Sequence, residues 1–157
     1  MALQEVARSR AIWAGKVAAV FVFAGGAIGG AAVGLVSVVG SIAGAPEHYL
    51  TLELFSQLPA SIAMMSLFGI AFGFPAAALT AAAYVIGVKT MRHRWRLTAF
   101  GVGASALWGA LFITMISDSP APPENYFGMS LFFAIAGGAA TLGCFSLLKR
   151  WRLQAPA

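Results

Sequence analysis

The sequence predicts an all-α integral membrane protein with four transmembrane helices. Of its 157 residues, 60% are hydrophobic and only 10% are charged, and the mean hydropathy is +0.84. A soluble domain carries about a quarter charged residues, so this composition does not suit a surface that faces water. The hydrophobic residues also fall in long uninterrupted runs, which is typical of segments that cross a bilayer. A single cysteine excludes a disulfide scaffold.

Four apolar runs define the predicted spans of one domain, residues 1–157. Each run is long enough for a hydrocarbon core of about 30 Å, which takes ~20 helical residues. Helix is expected because a strand or loop exposed to lipid leaves backbone groups unpaired. The runs contain no Lys, Arg, Asp, Glu or His, and they cover residues 17–45, 60–88, 97–116 and 127–148. The predicted outer loops are 46–59 and 117–126, and the predicted inner loop is 89–96.

The basic residues predict the orientation of these spans. All ten Lys and Arg precede the first run, follow the fourth or lie between the second and third, whereas the loops 46–59 and 117–126 hold none. The positive-inside rule therefore predicts a bacterial-type plasma membrane protein with both termini in the cytoplasm. This basic rim is expected to contact anionic lipid headgroups rather than nucleic acid; the candidate residues are Arg92, Arg94, Arg96, Lys149, Arg150 and Arg152.

The first run is also weighed as a cleaved signal peptide. It is 29 residues long, whereas the core of a signal peptide has about 7–15. Ala43 and Ala45 supply small residues at a cleavage-like spacing, but Pro46 follows them directly. Retention of the segment is therefore the expectation.

Small residues recur at intervals of four in every predicted helix. Lipid tails are as apolar as leucine, so helices in a bilayer associate through close packing, which small residues permit. The stripes predict glycine-rich packing faces of the glycine-zipper kind, used either inside the bundle or between subunits. The candidate positions are Gly26, Gly30 and Gly34, then Gly69 and Gly73, then Gly101, Ser105 and Gly109, and finally Ala134 and Gly138.

Pro75 lies near the middle of the second predicted span. Proline lacks the amide that would bond the carbonyl of Ala71, so a kink is expected there. A locally unwound segment, as found at some transporter sites, is the alternative. Trp108 lies well inside the third span and needs an acceptor for its indole N–H. The freed carbonyl of Ala71, or a hydroxyl, is predicted to accept it.

The residues before the second span suggest a short amphipathic stretch on the outer interface. Leu50, Leu54, Phe55 and Leu58 recur at helical spacing among polar residues, and Pro59 is expected to end the stretch. A plain apolar loop is the alternative.

Three short resemblances raise the hypothesis of an internal duplication. The segments 46–49 and 123–126 both run from Pro-Glu to Tyr, and 65–68 and 129–132 both read Met-Ser-Leu-Phe. Basic triplets at 8–10 and 92–94 open the two halves. Two parallel helical hairpins related by an axis along the membrane normal are the expected arrangement. Because the offsets between the matches differ, chance identity in an apolar sequence is the alternative.

Catalytic and cofactor chemistry is not indicated. The predicted spans hold no ionisable acid or base, and the loops are too short to fold a nucleotide-binding domain. An enzyme and a bound cofactor are therefore not expected. A copper site is the one metal alternative, since thioethers select Cu(I); it would use Met64, Met65, Met115 and Met129 with His48. Methionine also serves simply to fill gaps between helices.

Two functions remain open at this point. The first is a non-enzymatic structural or accessory subunit that packs against a larger membrane complex or forms a homo-oligomer. Its basis is the abundance of packing stripes without site chemistry. The alternative is a small transporter or channel for a neutral or weakly polar solute, based on Pro75, the duplication hypothesis and sparse hydroxyl groups in the spans.

Overall fold

The computed structural model describes residues 2–44, 52–87, 93–117 and 122–151, and the elements in this part of the chain are all helical. Four long helices form the bundle, and the first of them consists of three consecutive segments. In chain order they are α1 (Ala2–Ala19), the π-helical segment π1 (Val20–Gly25), α2 (Gly26–Gly44), α3 (Leu52–Ile86), α4 (Arg94–Ile116) and α5 (Pro123–Arg150).

The four long helices are long and apolar enough to span a membrane. The qualifying segments are Gln4–Gly40, Leu58–Ile86, Arg94–Ile116 and Pro123–Arg150. Each helix extends beyond its predicted apolar run, because helical hydrogen bonding continues through polar residues that the hydropathy criterion excluded. The helical backbone accordingly takes in residues 52–59, 94–96 and 123–126, which were predicted to be loops.

Pro59 does not end a helix, contrary to the sequence-based prediction. The helix α3 begins at Leu52 and continues through Pro59 into the second span. Pro59 is the eighth residue of α3, and because proline has no amide hydrogen, the helix lacks one backbone hydrogen bond there. A long helix tolerates this loss. Leu50 and the side chains of Leu54 and Phe55 lie outside the described part of the chain, so their predicted apolar face stays a prediction.

Neighbouring helices run antiparallel in two tight hairpins. In the first, Gly26 and Gly30 of α2 approach Ile70 and Met65 of α3. In the second, α4 lies against α5, with Ser105 beside Gly137. One end of the bundle thus collects Lys16, Arg94, Lys149 and Arg150, and we name it the basic end. The other, where α2 and α4 finish, is the opposite end.

A dense core cluster fills the basic end. Val17 and Phe21 from the first helix pack with Leu97 of α4 and Cys144 of α5, and all four are fully or almost fully buried. The rings of Trp13 and Tyr84 lie against this cluster, with their centroids 6.3 Å apart. The Cys144 thiol donates a hydrogen bond of 3.5 Å to the carbonyl of Val20.

The outside of the bundle is strongly apolar. Ile86 is 86% exposed, Phe127 71% and Leu67 68%. A soluble protein of this size rarely exposes contiguous apolar patches of this extent. The surface is therefore compatible with a multi-pass membrane protein.

The two Met-Ser-Leu-Phe segments occupy matching places in the two hairpins. A Cβ added to Gly30 of α2 would meet the carbonyl of Met65 on α3, and one added to Gly109 of α4 would meet the carbonyl of Met129 on α5. Phe68 and Phe132, which end the two segments, both line the same central cavity. The internal duplication itself stays a prediction.

Candidate functional site: a cavity between the two hairpins

The central cavity lies between the two hairpins and has a volume of about 290 Å³. Residues from π1, α2, α3, α4 and α5 line it, and none of the lining residues in the described part of the chain is charged. It exists because glycines and alanines form much of the wall. Seven of these lining residues are glycines, namely Gly25, Gly26, Gly29, Gly30, Gly69, Gly73 and Gly137.

Five phenylalanine rings in consecutive contact cross one side of the cavity. Phe68 stacks on Phe72 of the same helix, at a centroid distance of 5.6 Å. Phe72 meets Phe112 edge-on at 5.4 Å. Phe112 then contacts Phe133 at 5.8 Å, and Phe133 contacts Phe132 at 5.9 Å. This aromatic chain joins α3, α4 and α5 and gives the cavity a flat-sided, apolar wall.

Three hydroxyl groups form the polar part of the cavity lining, and we call them the hydroxyl layer: Thr80, Ser105 and Thr141. Thr80 donates to the carbonyl of Ala76 at 2.8 Å, and Thr141 donates to the carbonyl of Gly137 at 2.6 Å. The hydroxyl of Ser105 makes no hydrogen bond to any described residue, although Ser105 is only 7% exposed. Because every fully enclosed side-chain oxygen in the described part has a partner, the Ser105 oxygen is not fully enclosed, and Ser105 is one of the residues that line the cavity.

Most predicted packing residues lie where two helices approach closely. A Cβ on Gly26 would lie 2.6 Å from the Cα of Ile70, and one on Gly69 would lie 2.8 Å from the Cα of Gly30. A Cβ on Gly34 would lie 3.3 Å from the Cβ of Met65.

The predicted packing residues of the second hairpin also lie between its two helices. Gly101 lies against Thr141, and Ser105 lies beside Gly137. Gly109 lies against Met129 and Phe133. These stripes therefore face helices of the same chain.

Two of the predicted positions differ from the rest. No neighbouring atom lies within 4 Å of a Cβ added to Gly73, which opens onto the cavity instead of contacting a helix. In α5 the tightest approach falls on Gly137 rather than on Gly138, whose Cβ would meet only Val102, at 3.3 Å. Adjacent residues of a helix point about 100° apart, so spacing alone did not tell which of the two glycines faces Ser105.

Trp108 finds its acceptor on α3, one residue from the predicted position. Its indole N–H donates to the carbonyl of Phe72 at 2.7 Å, so the prediction of Ala71 is wrong. The reason is the direction from which α4 approaches: the ring of Phe72 also contacts Phe112 of α4, so α4 lies against α3 at Phe72. Pro75 follows one turn later inside a helix that is continuous from Leu52 to Ile86.

The π1 segment was not anticipated. A π-helix carries one more residue per turn than an α-helix and is frequent at functional sites. Here Phe21 and Gly25 of π1 both line the cavity, and Gly25 lies close to the Cys144 sulfur. The sequence gives no signal that would predict a π-helix here, because the run Val-Phe-Val-Phe-Ala-Gly has no helix-breaking residue at its centre.

A shallow basic groove lies at the basic end between α4 and α5. Arg94, Lys149 and Arg150 line it together with Ser146, Leu142 and Phe145. The guanidinium of Arg94 also lies 5.0 Å from the ring centroid of Trp95. Arg96 is exposed outside this groove. Arg92 and Arg152, also predicted to contact headgroups, lie outside the described residues.

The four methionines of the copper hypothesis do not converge. Met65 and Met129 line the cavity, whereas Met64 is 59% exposed and Met115 is 73% exposed on the outside of the bundle. His48 lies outside the described residues. The pair in the cavity contributes soft, polarizable walls to an apolar site.

Comparison with known proteins finds no family model that matches the chain, no curated protein with significant sequence similarity and no solved structure with a similar fold.

Proposed function

We propose that this chain is a multi-pass protein of a bacterial-type plasma membrane that carries a neutral, predominantly apolar solute in its central cavity without converting it chemically. The cavity between the hairpins is the observation on which the proposal depends. Binding cavities for small molecules are mostly apolar, with a few placed polar groups, and they occur between the helices of bundles. The central cavity has this composition.

The neutrality of the solute follows from the walls. None of the described lining residues is charged, so an ionic solute would be buried without a counter-ion, which is costly in an apolar medium. The hydroxyl layer and the aromatic chain instead favour a molecule with an apolar body. Such a molecule partitions into the bilayer and reaches the bundle from the lipid.

A carrier agrees better with the fold than an open channel. The core cluster closes the cavity toward the basic end, where Leu97 and Val17 are fully buried. Passage therefore requires a conformational change. One irregular segment, π1 in the first helix, borders the cavity and suits that role. Pro75 in α3, next to the lining residue Ala76, is a second candidate, because proline removes one hydrogen bond from an otherwise continuous helix.

The test is ligand retention by the full-length protein purified in mild detergent. Gly73→Leu fills the cavity from a position where the added Cβ meets no atom within 4 Å. Gly103→Leu is the matched control, because its Cβ also meets nothing and Gly103 does not line the cavity. We expect wild type and Gly103→Leu to copurify with about one neutral organic molecule per chain, and Gly73→Leu to lose it.

Transport is then measured in proteoliposomes with the molecule identified by mass spectrometry. Saturable uptake by the purified protein that Gly73→Leu abolishes supports the carrier. No copurified molecule in any variant, or equal retention by Gly73→Leu, contradicts the proposed cavity function. Flux that the protein does not change, together with a stable stoichiometric partner protein, contradicts the carrier and favours the second candidate.

The second candidate is a structural or accessory subunit that binds another membrane protein or a second copy of itself. The end of α2 favours it. Leu35, Val36 and Val39 are exposed there, and a Cβ on Gly40 would meet no neighbouring atom. This segment therefore offers an apolar, small-residue surface beyond the contact of α2 with α3.

Gly40→Leu tests this candidate, with native mass spectrometry after mild extraction as the measurement. We expect it to dissociate an assembly that uses the end of α2. Gly30→Leu, which the sequence alone would have selected, is unsuitable because Gly30 packs against Met65 of the same chain. An unchanged assembly, or a wild type that is monomeric throughout, contradicts the accessory role of this surface.

A further inference from the structure

We propose that the solute is a long-chain alcohol, bound with its hydroxyl at the hydroxyl layer and its chain along the aromatic chain. This inference rests on the proposed function and specifies its ligand. Three features of the central cavity lead to it: its length, the distribution of polar groups along it, and the hydrogen-bonding state of each hydroxyl.

The cavity is long and narrow. Its lining on α3 extends from Met65 to Thr80, which at 1.5 Å per residue corresponds to about 22 Å along the helix. On α5 it extends from Met129 to Thr141, or about 18 Å. A volume of about 290 Å³ spread over such a length suits an extended hydrocarbon chain.

The polar groups are confined to one part of the cavity. Thr80 and Thr141 lie toward the basic end, and Ser105 lies about one turn farther along α4 than Gly101, which contacts Thr141. Beyond them the lining consists of apolar residues, namely phenylalanine, methionine and Val33 with glycine and alanine. The matching ligand carries its polar group at one end only.

The hydroxyl layer offers one free donor and two acceptors. Ser105 has no hydrogen-bond partner among the described residues and is 93% buried, so its O–H is free to donate. Thr80 and Thr141 already donate to carbonyls of their own helices, which leaves their oxygens as acceptors. An alcohol both accepts and donates, whereas an ether or ester only accepts and a hydrocarbon does neither. The layer is therefore complementary to a hydroxyl group.

The test is equilibrium binding of radiolabelled hexadecanol to the full-length protein in detergent, with hexadecane, hexadecyl methyl ether and palmitate as competitors. We expect hexadecanol to bind most tightly and Ser105→Ala to weaken it about three- to tenfold, as the loss of one hydrogen bond does. Hexadecane affinity should not change in Ser105→Ala. Thr80→Val, which keeps the side-chain shape, should weaken hexadecanol binding but not the binding of the ether.

The outcomes separate this inference from the proposed function. If Gly73→Leu abolishes probe binding but hexadecane or the methyl ether competes as well as hexadecanol, the cavity function holds and the alcohol assignment is wrong. Preferential binding of palmitate, or a copurified diacyl phospholipid in the cavity, also overturns the assignment. If Gly73→Leu leaves all probe binding unchanged, the cavity is not the site and both proposals fail. Thermal unfolding of Ser105→Ala near the wild-type temperature excludes misfolding as the cause of weaker binding.

Discussion

The contact between α2 and α3 depends on the absence of a side chain at Gly30. The missing side chain lets the carbonyl of Met65 approach the α2 backbone, and Gly69 of α3 also lies close to Gly30 itself. In a bilayer, such contacts replace the hydrophobic effect as the force that holds helices together. The backbone of α3 cannot retreat as the end of a flexible side chain can, so a methyl group at Gly30 must separate the two helices.

We therefore expect Gly30→Ala to destabilise the fold by about 1–3 kcal/mol, the usual cost of overpacking. Gly40→Ala on the same helix is the control, because its Cβ meets open space and alanine gains up to about 1 kcal/mol over glycine in a helix. Thermal unfolding in mixed micelles measures both. Equal stability of the two variants would show that the α2–α3 contact is looser than the distances at Gly30 indicate.

At the scale of whole elements, π1 is the main departure from regular helix. A π turn holds one residue more than an α turn, so the segment sets the rotation between α1, which packs in the core cluster, and α2, which packs on α3 and α5. Phe23 is the most exposed of the large residues in π1, at 63%. Because the Phe23 side chain contributes little to the core, deletion of this residue mainly tests the effect of one residue fewer in the backbone of π1.

Deletion of Phe23 is expected to convert π1 into regular α-helix while α1 and α2 keep their contacts. Deletion of Ala27, inside regular helix, should instead turn the rest of α2 by about 100° and misplace Gly30 and Gly34. Cooperative unfolding, followed by circular dichroism, should persist for the first variant and be lost for the second. Loss in both would mean that Phe23 itself, or the π turn, is needed for folding.

The four apolar helices could be predicted from sequence, and the structure confirms them. Hydropathy determines such runs directly, because lipid tolerates neither charges nor unpaired backbone. The identity of helix neighbours could not be predicted in the same way. Four-residue spacing selected Gly26 and Gly101 as small residues, but it does not encode that one faces Ile70 and the other Thr141. Nor did it distinguish Gly137 from Gly138.

The central cavity was beyond sequence-based prediction for a related reason. A cavity is space that remains after several helices have packed, so it has no motif of its own. Ser105 was predicted as a packing residue and does lie beside Gly137, yet it also supplies the free hydroxyl. The spacing of Phe68 and Phe72 at i and i+4 was the one available signal for the aromatic chain.

For the molecule as a whole, the charge asymmetry predicts how the bundle sits in the membrane. Arg94, Lys149 and Arg150 lie at the basic end, while the stretches of sequence that connect α2 to α3 and α4 to α5 contain no Lys or Arg. A fluorescent protein fused to the C-terminus should therefore fluoresce, and alkaline phosphatase inserted at residues 118–121 should be active outside the cytoplasm. The reverse pattern would contradict the proposed orientation.

The double variant Arg94→Gln, Lys149→Gln should shift a fraction of the molecules toward the inverted orientation, because it removes two positive charges from the basic end.

The glycine side of the wall also sets the direction in which mutations can change the proposed binding site. Wherever backbone rather than side chain borders the cavity, as at Gly29 and Gly73, every substitution adds atoms and none removes them. On the glycine side, a shorter or thinner ligand is thus one mutation away. Room for a bulkier ligand must come from the phenylalanine and methionine side chains of the opposite wall, because the main chain on the glycine side holds no side-chain atoms to remove.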